Sequence, residues 1–146
     1  MKLHDSLRVW RDTPLYKKQS EIHWLVWLIE NPESPISLTG AIDLYNHDII
    51  HVLLDRGMTT KDEAMVIGFT MGNSVTTSSW VRWLFEFIAR HIYPEGYKFN
   101  EDELIEFARG YGYTRPERNI HLEHFDTSKD VEVFRKKYGI ELINTK

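Results

Sequence analysis

Two histidines and two acids give this chain its most evident capacity for chemistry. They stand as Asn46-His47-Asp48-Ile49-Ile50-His51, then eleven residues, then Glu63. Each residue of an α-helix turns about 100°, so four residues come round to about 40°. His47 and His51 therefore share one helix face, with Asp48 about 60° from His51 around the axis. Two imidazoles beside a carboxylate are a common donor set for a divalent cation such as zinc. Asp55-Arg56-Gly57 breaks the helix, which lets Glu63 return from a second helix as a further oxygen donor.

Ordinary structural roles compete for each of these residues. A core histidine can be satisfied by a backbone carbonyl, but a pair at i, i+4 with an adjacent aspartate favours metal binding. Thr60-Lys61-Asp62-Glu63 has the T-x-x-E form of a capping box, which would employ Glu63 at a helix start. The two roles are compatible, because a first-turn residue points back over the loop toward the preceding helix end. His121-Leu122-Glu123-His124 is spaced for a second ligand pair but lies in a polar stretch of undefined structure. His23 and His91 are single histidines on aromatic helices and read as core or surface residues. Arg115 and Arg118 read as solvated, with an anionic head group as the functional alternative. The aromatic run 80–87 reads as core first and as the wall of an apolar ligand tunnel second.

Composition narrows the classes. The 146 residues are the size of one ordinary domain, and 42% hydrophobic content is enough for a core. A net charge of -4 argues against a nucleic-acid partner, which requires a basic face. With no cysteine, disulfides and thiolate or iron–sulfur sites are excluded, so any metal must be held by His, Asp or Glu. The N-terminal twelve residues lack the apolar core and small-residue cleavage site of a signal peptide, and no run of about 18 apolar residues would span a bilayer. The expected location is cytoplasmic, with a peripheral place at a membrane surface and self-association both left open.

The elements that must carry the motif are all helical. A short helix is expected around Leu7, Val9 and Trp10, and a second is opened by Thr13-Pro14 and runs to about residue 30, with an apolar interior over 22–29. A loop follows at 32–35. The motif helix spans about 38–54, with Ile42, Tyr45, Ile49, Val52 and Leu53 on one apolar face and Leu44, Ile50 and Leu54 flanking the histidines. Such a helix lies inside the protein, so Asp48 must be paired or bound to metal. Residues 60–93 form one long helix or a kinked pair, weakened at Gly68, Gly72 and Asn73. Arg82, Glu86 and Arg90 form a polar stripe. Asn100 and Glu103 make a capping box for a helix ending near Gly110 or Gly112. Pro116 opens a short helix, and the last helix starts at Thr127 or Ser128 and stops at Gly139. Only 140–143 has any strand character. The expectation is an all-α fold of about six helices in a single domain over 1–146.

His47-Asp48-x-x-His51, eleven residues and Glu63 resembles the signature of the ubiquinone (coenzyme Q) biosynthesis protein 4 family. The spacing matches throughout, and the flanking His51-Val52-Leu53-Leu54 fits as well. Phe134-Arg135-Lys136-Lys137-Tyr138-Gly139-Ile140 is similar to that family's closing helix, so the resemblance covers about 36–146. It implies an all-helical fold and a divalent cation, usually zinc, on His47, Asp48, His51 and Glu63. It also implies an apolar groove for an isoprenoid quinone precursor, and work at a membrane surface alongside other quinone-biosynthesis proteins. The implied activity is removal of the ring carboxylate at C1 with hydroxylation of that carbon, and the alternative is a non-catalytic, lipid-binding scaffold. The chain departs from the pattern at Asp55, where a glycine commonly stands. Gly57 comes two residues later, and Asp55 becomes a further candidate ligand. It also lacks a mitochondrial targeting segment. A two-histidine, carboxylate site accepts iron(II) as well as zinc. A metal-dependent hydrolase is a third reading, but it calls for a further distant histidine and aspartate that the sequence does not place.

Overall fold

The computed structural model of the chain describes residues 1–14, 44–74, 79–93, 98–112 and 117–142, without the side chains of 44 and 79–81. The expected helix after Pro14 with its 22–29 interior lies outside these residues. So do the 32–35 loop, the start of the motif helix, His23, Arg115, Pro116 and residue 143. The described residues form an all-α structure: α1 (Leu3–Arg11), α2 (Leu44–Leu53), α3 (Thr60–Asn73), α4 (Ser79–His91), α5 (Glu101–Tyr111) and α6 (Val131–Tyr138), with one 3-10 turn at Ile120–Leu122. Extended pairing among them is limited to a single antiparallel bridge between Lys2 and Asp130.

Leu3 and Leu7, one turn apart, bury one face of α1, while Arg8 and Arg11 complement its C-terminal dipole. The amides of Leu3 and His4 bond to the carbonyls of Lys129 and Thr127, and Val131 N–H bonds back to Met1. The two ends of the described chain thus satisfy each other's unpaired helix-terminal groups. That pairing sets the start of α6. Asp126 accepts from Ser128 N–H and Oγ–H in a turn, so the helix begins at Val131 rather than at Thr127 or Ser128. It stops as expected at Gly139, whose φ of 66° suits a residue without a Cβ.

The motif helix is interior. Ile49, Ile50, Val52, Leu53 and Leu54 are buried with Leu3, Leu7, Val66, Phe69, Ile120, Phe134 and Tyr138 in one apolar cluster. Tyr45, expected on the apolar face, lies instead at the surface, with the Arg11 guanidinium 5.6 Å from its ring centroid. Arg135 donates from Nε to the Leu53 carbonyl (2.9 Å) and from a terminal nitrogen to that of Val52 (3.1 Å). It thereby caps the C-terminal carbonyls of α2, which have no partner within the helix.

The expected long or kinked helix over 60–93 resolves into two. α3 runs unbroken through Gly68 and Gly72 and ends at Asn73, and α4 begins at Ser79. The glycines do not break α3. They admit α5: a Cβ at Gly68 or Gly72 would collide with the carbonyls of Phe107 or Tyr111, and one at Gly110 with that of Met65. Asn73 is fully buried and sews the 117–120 segment to the end of α3. Its side chain donates to Glu117 and accepts from Ile120 N–H, while its carbonyl accepts from Asn119 N–H and from Arg118 Nε. Arg118 is therefore a structural donor as well as a solvated cation.

A second apolar cluster joins α3, α4 and α5 through Ala64, Met71, Phe85, Ala89, Phe99 and Phe107. The capping box of α5, Asn100 with Glu103, is present as expected. The aromatic run of α4 divides between core and solvent. Phe85 stacks on Phe107 at 5.3 Å, whereas Trp83 and Phe87 stack on each other at 5.7 Å with their rings exposed. Arg82 and Glu86 pair at 3.1 Å along the expected polar stripe.

Candidate metal centre

Which helix start employs Glu63 decides where its carboxylate goes. The N-cap of α3 is Thr59, one residue earlier than the T-x-x-E pattern places it. Thr59 Oγ1 accepts from Asp62 N–H, and Asp62 Oδ2 accepts from the amide and hydroxyl of Thr59. Asp62 closes the box and Glu63 is released from capping. Its side chain reaches back across the 55–59 connection to α2, where one Glu63 oxygen lies 2.9 Å from His47 Nε2 and the other 3.1 Å from His51 Nε2. The two Nε2 atoms are 3.2 Å apart.

With Glu63 ionised, no placement of protons satisfies every contact of this triangle. Burial works against ionisation of Glu63, but the adjoining His51 and His47 rings outweigh it by charge and by hydrogen bonding, and hold its carboxyl well below the usual range. With Glu63 ionised, two Nε2–H groups would each find an oxygen but would confront one another. With one Nε2 bare, its lone pair would face a carboxylate oxygen. A cation among the three resolves every contact, because each group then offers a lone pair. At metal–ligand distances of about 2.0–2.2 Å, such spacings correspond to ligand–metal–ligand angles of about 80–105°. The donor set and the spacing both fit a divalent ion, and His47, His51 and Glu63 are a group whose ligand atoms all lie within 4.8 Å of one another.

Of the four expected ligands, three come together and one is directed elsewhere. Asp48 lies a third of a turn round the helix from His47, and its Oδ2 accepts from Arg11 Nε (3.0 Å) and a terminal nitrogen (2.7 Å). The buried carboxylate that a metal was expected to neutralise is neutralised by an arginine of α1. Arg11 gave no sequence signal, being 37 residues away from its partner. Asp55, the other candidate ligand, is exposed in a left-handed turn (φ 53°) and is not part of the cluster. His121 and His124 do not join a ligand group among the described residues. His121 lies in the 3-10 turn, where burial lowers its pKa and its Nδ1 has no hydrogen-bond partner among the described residues. Between them, Glu123 accepts from Lys137 Nζ (2.8 Å) and from the Tyr138 hydroxyl. His91 is exposed and packs on Phe87 at 5.0 Å.

Trp10 was read only as a helix-forming residue, yet it lies against the site. Its ring centroid is 4.9 Å from that of His51. The class defined by these observations is an all-α protein with a two-histidine, one-glutamate cluster between its second and third described helices. No family model, curated protein or solved structure matches the chain.

Proposed function

We propose that this is a metal-binding protein of quinone biosynthesis, with a divalent cation, zinc or iron(II), held by His47, His51 and Glu63. The observation that carries the cation is the 2.9, 3.1 and 3.2 Å triangle, which brings two imidazole nitrogens and a carboxylate together as a donor set. The substrate class, an isoprenoid quinone precursor, rests on the resemblance of the motif and of the closing helix to the ubiquinone biosynthesis protein 4 family.

A bound cation would supply Lewis acidity toward a ring carboxylate or phenolate, favouring charge that builds on the ring as the C1 bond breaks. The chain's own residues set access and exclude water. His51 is fully buried, whereas His47 and Glu63 keep 14% and 26% of their side-chain surface, so a ligand reaches the cluster from their side. Glu63 remains a carboxylate, ready to hold positive charge. Arg11 keeps Asp48 out of the donor set, which leaves positions around the ion for water or substrate oxygens. Among the described residues no helix is long and apolar enough to cross a membrane, and contact with the lipid phase is proposed as peripheral. Complete burial of His51 favours a second reading, in which the cation only joins α2 to α3 in a lipid-binding scaffold.

Elemental analysis and lipid extraction of purified protein test the assignment. About one equivalent of zinc or iron is expected, falling to background in His47→Ala and His51→Ala, with a prenylated quinone precursor in the extract. Turnover of that precursor, lost in His51→Ala while the lipid is still bound, separates catalyst from scaffold. Wild-type protein that takes up no divalent metal refutes the centre. A metal-loaded protein without affinity for prenylated phenols refutes the substrate class.

A further inference from the structure

Ligating histidines are ordinarily held by a hydrogen bond from the ring nitrogen that does not face the metal, which fixes both tautomer and orientation. His51 has no such anchor. It is fully buried, its Nε2 faces His47 and Glu63, and among the described residues nothing bonds to its Nδ1. The ring is instead held between two aromatic contacts. His47 meets it edge-on, with centroids 4.8 Å apart and planes at 80°. The Trp10 indole also lies against it, at 4.9 Å and 31°.

The indole is itself fixed. Trp10 Nε1–H donates to the Arg56 carbonyl at 2.8 Å, and the Arg56 amide donates to the His51 carbonyl at 2.9 Å. Trp10, Arg56 and His51 thus form a closed loop in which the ring and the backbone of His51 are referred to the same anchor. The neighbouring Arg11 ties the same turn of α1 to Asp48 on α2.

We propose that Trp10 is the positioning residue of the cluster: its indole face holds the His51 imidazole with Nε2 toward Glu63, in place of the missing hydrogen bond. The proposal rests on the cation reading for its consequence, but the orientation it asserts exists without the ion. Loss of an outer partner of a metal-binding histidine ordinarily weakens the metal by about 10–100-fold. Trp10→Ala is expected to weaken cobalt(II) or zinc(II) by about tenfold and to alter the visible absorption of the cobalt-loaded protein. Trp10→Phe, which keeps a ring face, should recover most of the affinity.

Leu7→Ala serves as the control. It removes a buried α1 side chain that is neither a candidate ligand nor in ring contact with His51, and should lower thermal stability while leaving the cobalt spectrum as in wild type. Nitrogen-15 spectra of the metal-free protein give the independent readout: one His51 ring environment in wild type and Trp10→Phe, and several in Trp10→Ala. A His51 signal unchanged in Trp10→Ala, or a Leu7→Ala variant that disturbs the cobalt spectrum equally, overturns the positioning role. A wild type that takes up neither cobalt nor zinc overturns the cation reading instead, and the nitrogen spectra still decide on Trp10.

Discussion

Glu63→Gln separates a metal centre from a hydrogen-bonded triad of the same shape. The substitution keeps the side-chain volume and withdraws the charge. In the metal-free protein its cost is small, because the glutamine amide can donate to a bare Nε2 while its oxygen accepts from the other Nε2–H. The metal-loaded protein loses its only anionic donor. A ligand present at about 100 times its dissociation constant stabilises the native state by about 2.7 kcal/mol. For a chain of this length each kcal/mol is about 2–4 °C, so zinc should raise the wild-type Tm by about 5–10 °C. If the variant binds about 100-fold more weakly, the same free zinc contributes about 0.4 kcal/mol, or about 1 °C. Chelator-treated proteins unfolded by heat in buffered free zinc, followed by far-ultraviolet circular dichroism, give both numbers. A structural triad behaves in the opposite way. Removing its charged acceptor would cost about 1.5–3 kcal/mol in the metal-free protein, with no dependence on zinc. That result, or an equal zinc increment in wild type and variant, refutes the reasoning.

Three other perturbations probe the surroundings. Arg11→Ala withdraws the guanidinium from the buried Asp48 carboxylate. The expected loss is about 1–3 kcal/mol, below the value for a fully buried pair because Arg11 keeps 36% of its side-chain surface in water. Asp48→Asn in the same chain should recover much of it in denaturant titration. Gly68→Ala gains up to about 1 kcal/mol of helix propensity but drives a Cβ into the Phe107 carbonyl, and the net should be a loss of about 2 kcal/mol, read as a lower urea midpoint. His121 has its pKa lowered from 6.5 by burial, so the unfolded chain binds the extra proton first. Stability should therefore fall as pH drops below about 6.5 toward the lower folded value. The part of that slope due to His121 should vanish in His121→Leu, and a variant with the wild-type slope would contradict it.

Local rules made much of the architecture legible. The Asn100–Glu103 box, the glycine stop after α6 and the greasy motif helix each depend on residues within a turn or two of one another, and each is present. Misread features are those decided across the chain. Gly68 and Gly72 look like helix weaknesses until α5 is laid against them. Asn73, a weak point in the sequence, does end α3, but its bonds to the 117–120 carbonyl and amide groups have no local signal. The T-x-x-E pattern is offset by one residue because Thr59-x-x-Asp62 is an equally good box, and only the direction of the chain leaving α2 selects between them. Within the cluster, helical periodicity sufficed to pair His47 with His51. Asp48 looked like a ligand because a buried carboxylate needs a counter-charge, and sequence spacing cannot reveal that the counter-charge is Arg11 on another helix.

The spacing of the donors is fixed by anchors that lie outside the cluster. α2 is held at its C-terminal carbonyls by Arg135 from α6, and at Asp48 by Arg11 from α1. α3 lies close against α5 at Gly68, Gly72 and Gly110, where a Cβ would meet backbone carbonyls. Two independently tethered helices therefore present His47, His51 and Glu63 to one another at hydrogen-bond distance, and the scaffold rather than the triad enforces that approach. Polar groups free to move would relax away from an arrangement that leaves two N–H groups or two lone pairs opposed. Here relaxation would require α2 to shift against a cluster that includes Ile49, Leu53, Phe69 and Phe134, at a cost far above that of one mismatched contact. The proposed cation would enter between donors that the surrounding packing already holds near one another.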